Sequence, residues 1–389
     1  MITKASQIVL NTQDSVAPLG VIAMDGAAEL GEKINKYLVQ WAQESGINVD
    51  SYLIETQCPR FSSGDGKGLI KKSIRGDDIY IIVDVGNYAC TYKMFGKDNA
   101  MSPDDHFQDL KRLIQAMSGK AHRINVIMPI LYGGRQHRRN YRESLDCAVA
   151  LQELQAMSVE NIICFDAHDA RVCNAIPLMG FDNVMPTYQV LKTMFKNIPD
   201  LNTSINSRNF MVVSPDEGAM NRNMYYASVL GVDLGMFYKR RDYSRIVNGR
   251  NPIVAHEYLG NSVEGKDVFI SDDIISSGES MLDIGYELKK RNARRIIAYA
   301  TYPIFTNGLE KFDKAYSEGI IDYVFGTNLT YRTPELLKRP WFKEVDISKY
   351  IAYFIVALNH DISTSMVIDP HTKIKNLLEQ YNVKTAEGM

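Results

Sequence analysis

Two adjacent carboxylates and a Ser/Gly turn stand together at 268–280, Val-Phe-Ile-Ser-Asp272-Asp273-Ile-Ile-Ser276-Ser277-Gly278-Glu279-Ser280. The apolar residues before Asp272 read as a strand and those after Gly278 as a helix. The acidic pair and the turn therefore fall beyond the carboxyl end of a strand, where open α/β sheets bind their ligands. Backbone amides at a helix start, with Ser hydroxyls alongside, suit a phosphate, and adjacent carboxylates suit sugar hydroxyls and metal-bound water. A sugar phosphate needs both parts. Ser276-x-x-Glu279 also fits a capping box, with the Ser bonding forward and the Glu reaching back, and on the residues alone both readings stand.

Four further segments have the same strand-end placement. Ser214-Pro215-Asp216-Glu217-Gly218 follows the apolar stretch 210–213 and enters a helix, where Asp216 suits an N-cap as well as a ligand. Asp166-Ala167-His168-Asp169 sets an imidazole and two carboxylates just past the strand 161–165, as part of a magnesium or phosphate-metal site, although His is an unusual ligand for so hard a cation. Two basic runs, Arg135-Gln136-His137-Arg138-Arg139 and Lys239-Arg240-Arg241, follow strands predicted to end at Ile130 and Tyr238. Such runs are commonly solvated faces. At strand ends they also supply the several cations that a polyphosphate requires. The Gly, Asn and Pro residues of 242–265 predict a long mobile loop, a plausible lid over a phosphate cleft.

Elements that place these residues alternate along the chain. Short β-branched runs at 20–24, 79–83, 124–130 and 161–165 are separated by helical stripes such as Leu30, Ile34, Leu38 and Trp41. A second series follows Gly180, with strands at 209–214, 232–238, 267–271 and 295–301. This is an α/β chain with mainly parallel sheets flanked by helices. Its 389 residues favour two domains, 1–180 and 181–389, whose relation is one of pattern, with a C-terminal tail that packs on either. The 44 Lys+Arg against 46 Asp+Glu give a net charge of −2, so no global field exists to hold a nucleic acid. Five cysteines without a CxxC fit reduced thiols in the cytoplasm. No signal peptide is read at 1–14, and no apolar run approaches the roughly 20 residues that cross a bilayer.

Taken in order, the segments resemble the ribose-phosphate diphosphokinase (phosphoribosyl pyrophosphate, PRPP, synthetase) family. The matches are Arg60-Phe61-Ser62 with Gly64, Ser73-Ile74-Arg75-Gly76, Arg135-Gln136-His137-Arg138, Asp166-Ala167-His168, Val213-Ser214-Pro215-Asp216, Lys239-Arg240-Arg241, Val263-Glu264-Gly265-Lys266, Asp272-Asp273 and Tyr299-Ala300-Thr301-Tyr302-Pro303-Ile304-Phe305. They span about residues 60 to 306.

The resemblance implies two tandem phosphoribosyltransferase-like (type I) domains and transfer of the β,γ-diphosphoryl group of ATP to the 1-hydroxyl of ribose 5-phosphate, giving PRPP and AMP with Mg²⁺. It assigns Lys239 and Arg241 to catalysis and Phe61, Ser63, Asp65, Arg135, Gln136 and His168 to ATP. Asp272, Asp273, Ser276, Ser277, Gly278 and Ser280 go to the ribose phosphate, and His168 and Asp216 to the metal. A homo-oligomer with ligand sites between subunits is implied as well. Glu279 departs from the family's Asp-Thr-Gly-Gly-Thr turn, and an acid there repels a dianion unless its side chain turns away. Two other classes stay in view. One is a non-catalytic relative that binds nucleotide or sugar phosphate and regulates a partner, against which Lys239 and Arg241 speak. The other is a PRPP-using phosphoribosyltransferase, which needs neither the Arg135 nor the His168 segment.

Overall fold

The computed structural model describes residues 15–139, 141–241 and 253–383, with the backbone alone at 239–241, 253–256 and 366. They form two compact units. The first runs up to Pro186 and takes in Asn328–Tyr331 and Asp346–Asp369; the second comprises Thr187–Thr327, Arg332–Val345 and the residues from Pro370.

Five strands, β1 (Leu19–Ala23), β2 (Asp78–Ile82), β3 (Arg123–Ile127), β4 (Asn161–Phe165) and β5 (Gly180–Val184), build the first unit's sheet in chain order. All its pairings are parallel. Every residue of β2 is buried, as a strand covered on both faces requires. Helix Ala28–Glu44 buries the predicted Leu30, Ile34, Leu38 and Trp41. Helix Pro103–Met117 opens on a capping box between Ser102 and Asp105 and buries Phe107, Leu110, Leu113, Ile114 and Met117. The apolar run 350–358 lies in helix Ser348–Asn359 of this unit, where Tyr353 stacks on Trp41 at 4.6 Å.

The second unit has seven strands: β6 (Phe210–Ser214), β7 (Asp233–Arg241), β8 (Ile253–Leu259), β9 (Asp267–Ile275), β10 (Arg295–Pro303), β11 (Tyr323–Thr327) and β12 (Phe342–Val345). Their order is β8-β7-β6-β9-β10-β11-β12, parallel except for β7 with β8. Three expectations need correcting. The strand predicted to end at Tyr238 continues through Arg241, so the backbone of Lys239 and Arg241 is paired, Lys239 with His256 and Arg241 with Ile253 across an irregular step. The loop predicted over 242–265 is interrupted by β8, whose β-branched and aromatic residues lie hidden between the turn signals Asn251-Pro252 and Gly260-Asn261. Residues 242–252 lie outside the described residues. Finally, β9 runs to Ile275, because Ile274 and Ile275 pair with Tyr302 and Pro303, and Asp272 and Asp273 therefore sit inside the strand.

The units share a local construction that the hydrophobic pattern does not reveal. Ser73-Ile-Arg-Gly-Asp-Asp78 leads into β2 and Ser262-Val-Glu-Gly-Lys-Asp267 into β9. In both, the Ser hydroxyl accepts from the amide two residues on, at 3.4 and 3.2 Å. In both, the Gly has positive φ, +80° and +69°, as a left-handed turn favours. Each strand then opens on a fully buried Asp set in register against an Arg of the next parallel strand, Asp78 with Arg123 and Asp267 with Arg295.

Candidate functional site

In the second unit, β6 and β9 are parallel neighbours. Asp216 follows the end of β6 and Asp272 lies near the end of β9. Asp272 is held by its own chain, the amide of Asp273 donating to its Oδ1 at 2.9 Å, with the Arg222 guanidinium 3.7 Å away. Burial and the neighbouring Asp273 push its carboxyl up to about 8, against the pull of Arg222. Two carboxylates so placed resist joint ionisation until a positive charge or hydroxyl donors arrive.

The turn after β9 is fixed from beneath. The amides of Ile304 and Phe305 donate to the Ile275 carbonyl and that of Thr306 to Ser276, at 2.9–3.0 Å. Gly278 caps helix Glu279–Lys290 at φ +78°. A Cβ there would fall 2.3 Å from Phe312, so the position tolerates only glycine. The N-cap Gly278 has no side chain with which to cap the helix, so the predicted capping box is not formed, and the Ser277 hydroxyl accepts from the Glu279 amide at 3.5 Å. The Glu279 carboxylate instead accepts from Lys311, whose Nζ donates to Oε1 at 2.6 Å. The hydrogen bond and charge of Lys311 hold the Glu279 carboxyl below its ordinary range.

Sequence reasoning missed two residues on helix Met220–Leu230. Arg222 sets its guanidinium 3.7 Å from Asp272. Asn223, fully buried, donates to the Ser271 carbonyl at 2.8 Å and to the Ser214 hydroxyl at 3.3 Å, and accepts from the Ser271 amide at 3.2 Å. It joins the ends of β6 and β9. A polar residue on the helix face that also buries Tyr226, Ala227 and Leu230 was the available signal. The Ser271 hydroxyl, also buried, finds no partner among the described residues. Asp216, four residues before the first helical residue Met220, accepts from the amide of the N-cap Ala219 at 3.2 Å, so it braces the turn without being its N-cap.

The first unit carries the remaining residues. Phe61, Ser63 and Asp65 share an exposed turn closed by the Phe61 amide donating to Asp65 at 2.7 Å, with the Ser63 hydroxyl donating to the Asp65 carboxylate at 2.6 Å. Arg60 anchors this turn through buried Asp109 at 2.8 Å. Arg135 is exposed, whereas the Gln136 amide donates to the Ser144 carbonyl at 2.9 Å. His168 is exposed, its ring 5.3 Å from that of His137. Asp169 is committed to Arg171 at 2.6 Å, which, with the backbone amide of Arg171, holds its carboxyl well below the usual carboxylate range. Asp166 is buried at φ +46°. His168 and Asp216, paired by the resemblance, stand in separate units, and the side chains of Lys239 and Arg241 lie outside the description.

A mainly parallel sheet whose strand β9 carries an acidic pair near its carboxyl end and leads into a glycine-capped helix start defines the class: a phosphoribosyltransferase-type α/β protein. Profiles of the N-terminal domain of ribose phosphate pyrophosphokinase and of the phosphoribosyl transferase domain match residues 19–157 and 182–327. Among curated relatives, the ribose-phosphate pyrophosphokinase of Vibrio cholerae is 27% identical over 320 residues, 80% of this chain and 90% of the relative. That of Shewanella oneidensis is 27% identical over 315 residues, 79% and 88% of the two chains. The fold matches the crystal structure of phosphoribosylpyrophosphate synthetase from Mycobacterium smegmatis with a TM-score of 0.70 at 19% identity, covering 88% of this chain and 99% of that one. The chain belongs to the ribose-phosphate pyrophosphokinase family.

Proposed function

We propose that this chain is a ribose-phosphate diphosphokinase, a transferase that moves the β,γ-diphosphoryl group of ATP to the 1-hydroxyl of ribose 5-phosphate. The observation that carries this is the β9 turn, where the acid that would repel a phosphate is drawn off by Lys311 and Gly278, in the left-handed region, starts the helix. The 5-phosphate binds the amides and hydroxyls of Ser276, Ser277, Gly278 and Ser280, and Asp272 and Asp273 accept from the ribose hydroxyls. Phe61, Ser63, Asp65, Arg135, Gln136 and His168 bind ATP.

The 1-hydroxyl oxygen attacks the β-phosphorus in line. As the new P–O bond forms, the bond to the α,β-bridging oxygen breaks and AMP leaves. Such transfers need positioning and positive charge more than covalent chemistry, and we assign that charge to Lys239 and Arg241. Carboxylate oxygens at Asp216, Asp272 and Asp273 are the hard donors that Mg²⁺ takes, and the reluctance of Asp272 to ionise beside Asp273 is what a cation relieves. Among the described residues no three such groups gather into one metal site, and on the resemblance we propose His168 and Asp216 as residues that would hold Mg²⁺. Mg²⁺ supplies charge neutralisation on the phosphate oxygens.

Among the described residues no helix is long and apolar enough to cross a membrane. The five free thiols favour a reducing compartment, and we place the reaction in the cytoplasm. We propose a homo-oligomer, as the family resemblance implies.

A ³¹P NMR assay with ATP, ribose 5-phosphate and Mg²⁺, repeated without the sugar, tests the reading. AMP and PRPP are expected together and only with the sugar. Ligand binding without PRPP would move the chain to the regulatory class.

A further inference from the structure

Residues 91–100 form an antiparallel hairpin, Thr91–Met94 against Lys97–Ala100, that the sequence patterns did not signal. A lone two-stranded ribbon is marginal in water, and this one is fastened to the 60–66 turn. The Phe95 amide donates to the Ser62 carbonyl at 2.8 Å. The Arg60 guanidinium lies 5.0 Å over the Tyr92 ring, and Met94 packs so close on Gly64 that a Cβ there would meet its sulfur at 2.7 Å. Arg60 is itself tied to buried Asp109 of helix Pro103–Met117, so hairpin and turn share one anchor.

At the hairpin tip Phe95 has φ +48° and is 78% exposed. An aromatic residue in the left-handed region, with Gly96 beside it and no ring partner among the described residues, serves neither the turn nor a core. Phe61, directly before Ser62, is 57% exposed and carries only Lys67, 5.8 Å over its ring. Two free aromatic surfaces thus stand on backbone segments joined by a hydrogen bond. Beside them is the Ser63–Asp65 edge, whose carboxylate keeps lone pairs for an amino group.

We infer that the hairpin is part of the nucleotide site, with Phe95 supplying a second aromatic surface for the amino-bearing purine of ATP. This rests on the reading of the 61–65 turn as the ATP site. Base–aromatic stacking gives the fold-change to look for. Phe95→Ala is expected to raise KM for ATP roughly 5- to 50-fold, with kcat and KM for ribose 5-phosphate within about twofold of wild type. Phe95→Tyr is expected to restore wild-type values. Inhibition by inorganic tripolyphosphate, which has no base, is expected to be unchanged in both variants.

An ATP KM unmoved in Phe95→Ala overturns the inference, and a concurrent change in sedimentation would assign Phe95 to a subunit contact. Equal weakening of ATP and tripolyphosphate also overturns it. If wild type forms no PRPP, the diphosphokinase reading fails separately. Equilibrium dialysis of ATP and of tripolyphosphate against Phe95→Ala then decides the hairpin: loss of ATP alone supports it, and loss of both or of neither sinks it.

Discussion

Glu279, paired with Lys311, is the residue on which the proposed phosphate role of the β9 turn depends. Its carboxylate stands at the first residue of a helix whose amides would hold a dianion, and at close range like charges repel with little screening. Lys311 offsets this from outside the turn, although both side chains are more than half exposed, at 55% and 57%. The pair contributes little to folding, as exposed pairs do, so its effect should appear in binding. Lys311→Ala is expected to raise KM for ribose 5-phosphate about threefold at low salt, and the difference should fade near 0.5 M salt. Glu279→Gln should leave KM within about twofold of wild type. A Glu279→Gln variant with much weaker sugar-phosphate binding would mean that the carboxylate itself contacts the substrate.

At the scale of elements, the carboxylates of the β9 end depend on Asn223, because its amide group satisfies backbone or side-chain groups of both β6 and β9. Asn223→Ala leaves the Ser271 amide and carbonyl without those bonds in a buried position. A loss of roughly 2–3 kcal/mol in unfolding free energy is expected, with KM for ribose 5-phosphate raised about tenfold as Asp272 loses its support. Urea unfolding and the KM measurement check both effects; a stability loss with KM unchanged would make Asn223 a purely structural residue. The periodicity of Leu30, Ile34, Leu38 and Trp41, and the apolar strands before Asp216 and Asp272, were legible because each reports one face of one element. Asn223 was not, since a polar residue inside an apolar helix face carries meaning only when the strands it ties are known. The 91–100 hairpin and β8 were missed for another reason: short strands of mixed polarity, stabilised by what they pack on, leave no period of their own.

Across the whole molecule, each sheet is anchored at the opposite end from its ligand-bearing loops by a buried Asp–Arg pair, and the two pairs differ in how they are closed. Asp267 is shared by Arg294 and Arg295. Asp78 receives Arg123 Nε at 2.9 Å and Nη2 at 2.8 Å, Tyr80 at 2.9 Å, Asn125 at 2.8 Å and Asn359 at 3.0 Å. Asn359 comes from the helix that covers Trp41, so the carboxylate fastens residues distant in sequence to the middle of the first sheet. Burial alone would raise the Asp78 carboxyl, but the hydrogen bonds from Arg123 and Asn359, with the charge of Arg123, bring it below its ordinary value. A carboxyl lowered in the folded state stabilises fully above the unfolded value of about 3.9, and this stabilisation is lost as pH falls through the folded value. Wild-type stability in the first unit should therefore decline below about pH 4. Asp78→Asn removes the charge opposite a buried guanidinium and should cost about 3–5 kcal/mol at pH 7, while the acid decline becomes shallower because one carboxylate no longer needs to be protonated. Hydrogen exchange of peptides from β2 and β3, followed in urea at pH 7 and pH 3.5, separates the two effects. An equally steep acid decline in Asp78→Asn would place the acid sensitivity on other carboxylates, and a small loss at pH 7 would show that the Asp361 carboxylate and the Leu358 carbonyl, which also accept from Arg123, satisfy it without Asp78.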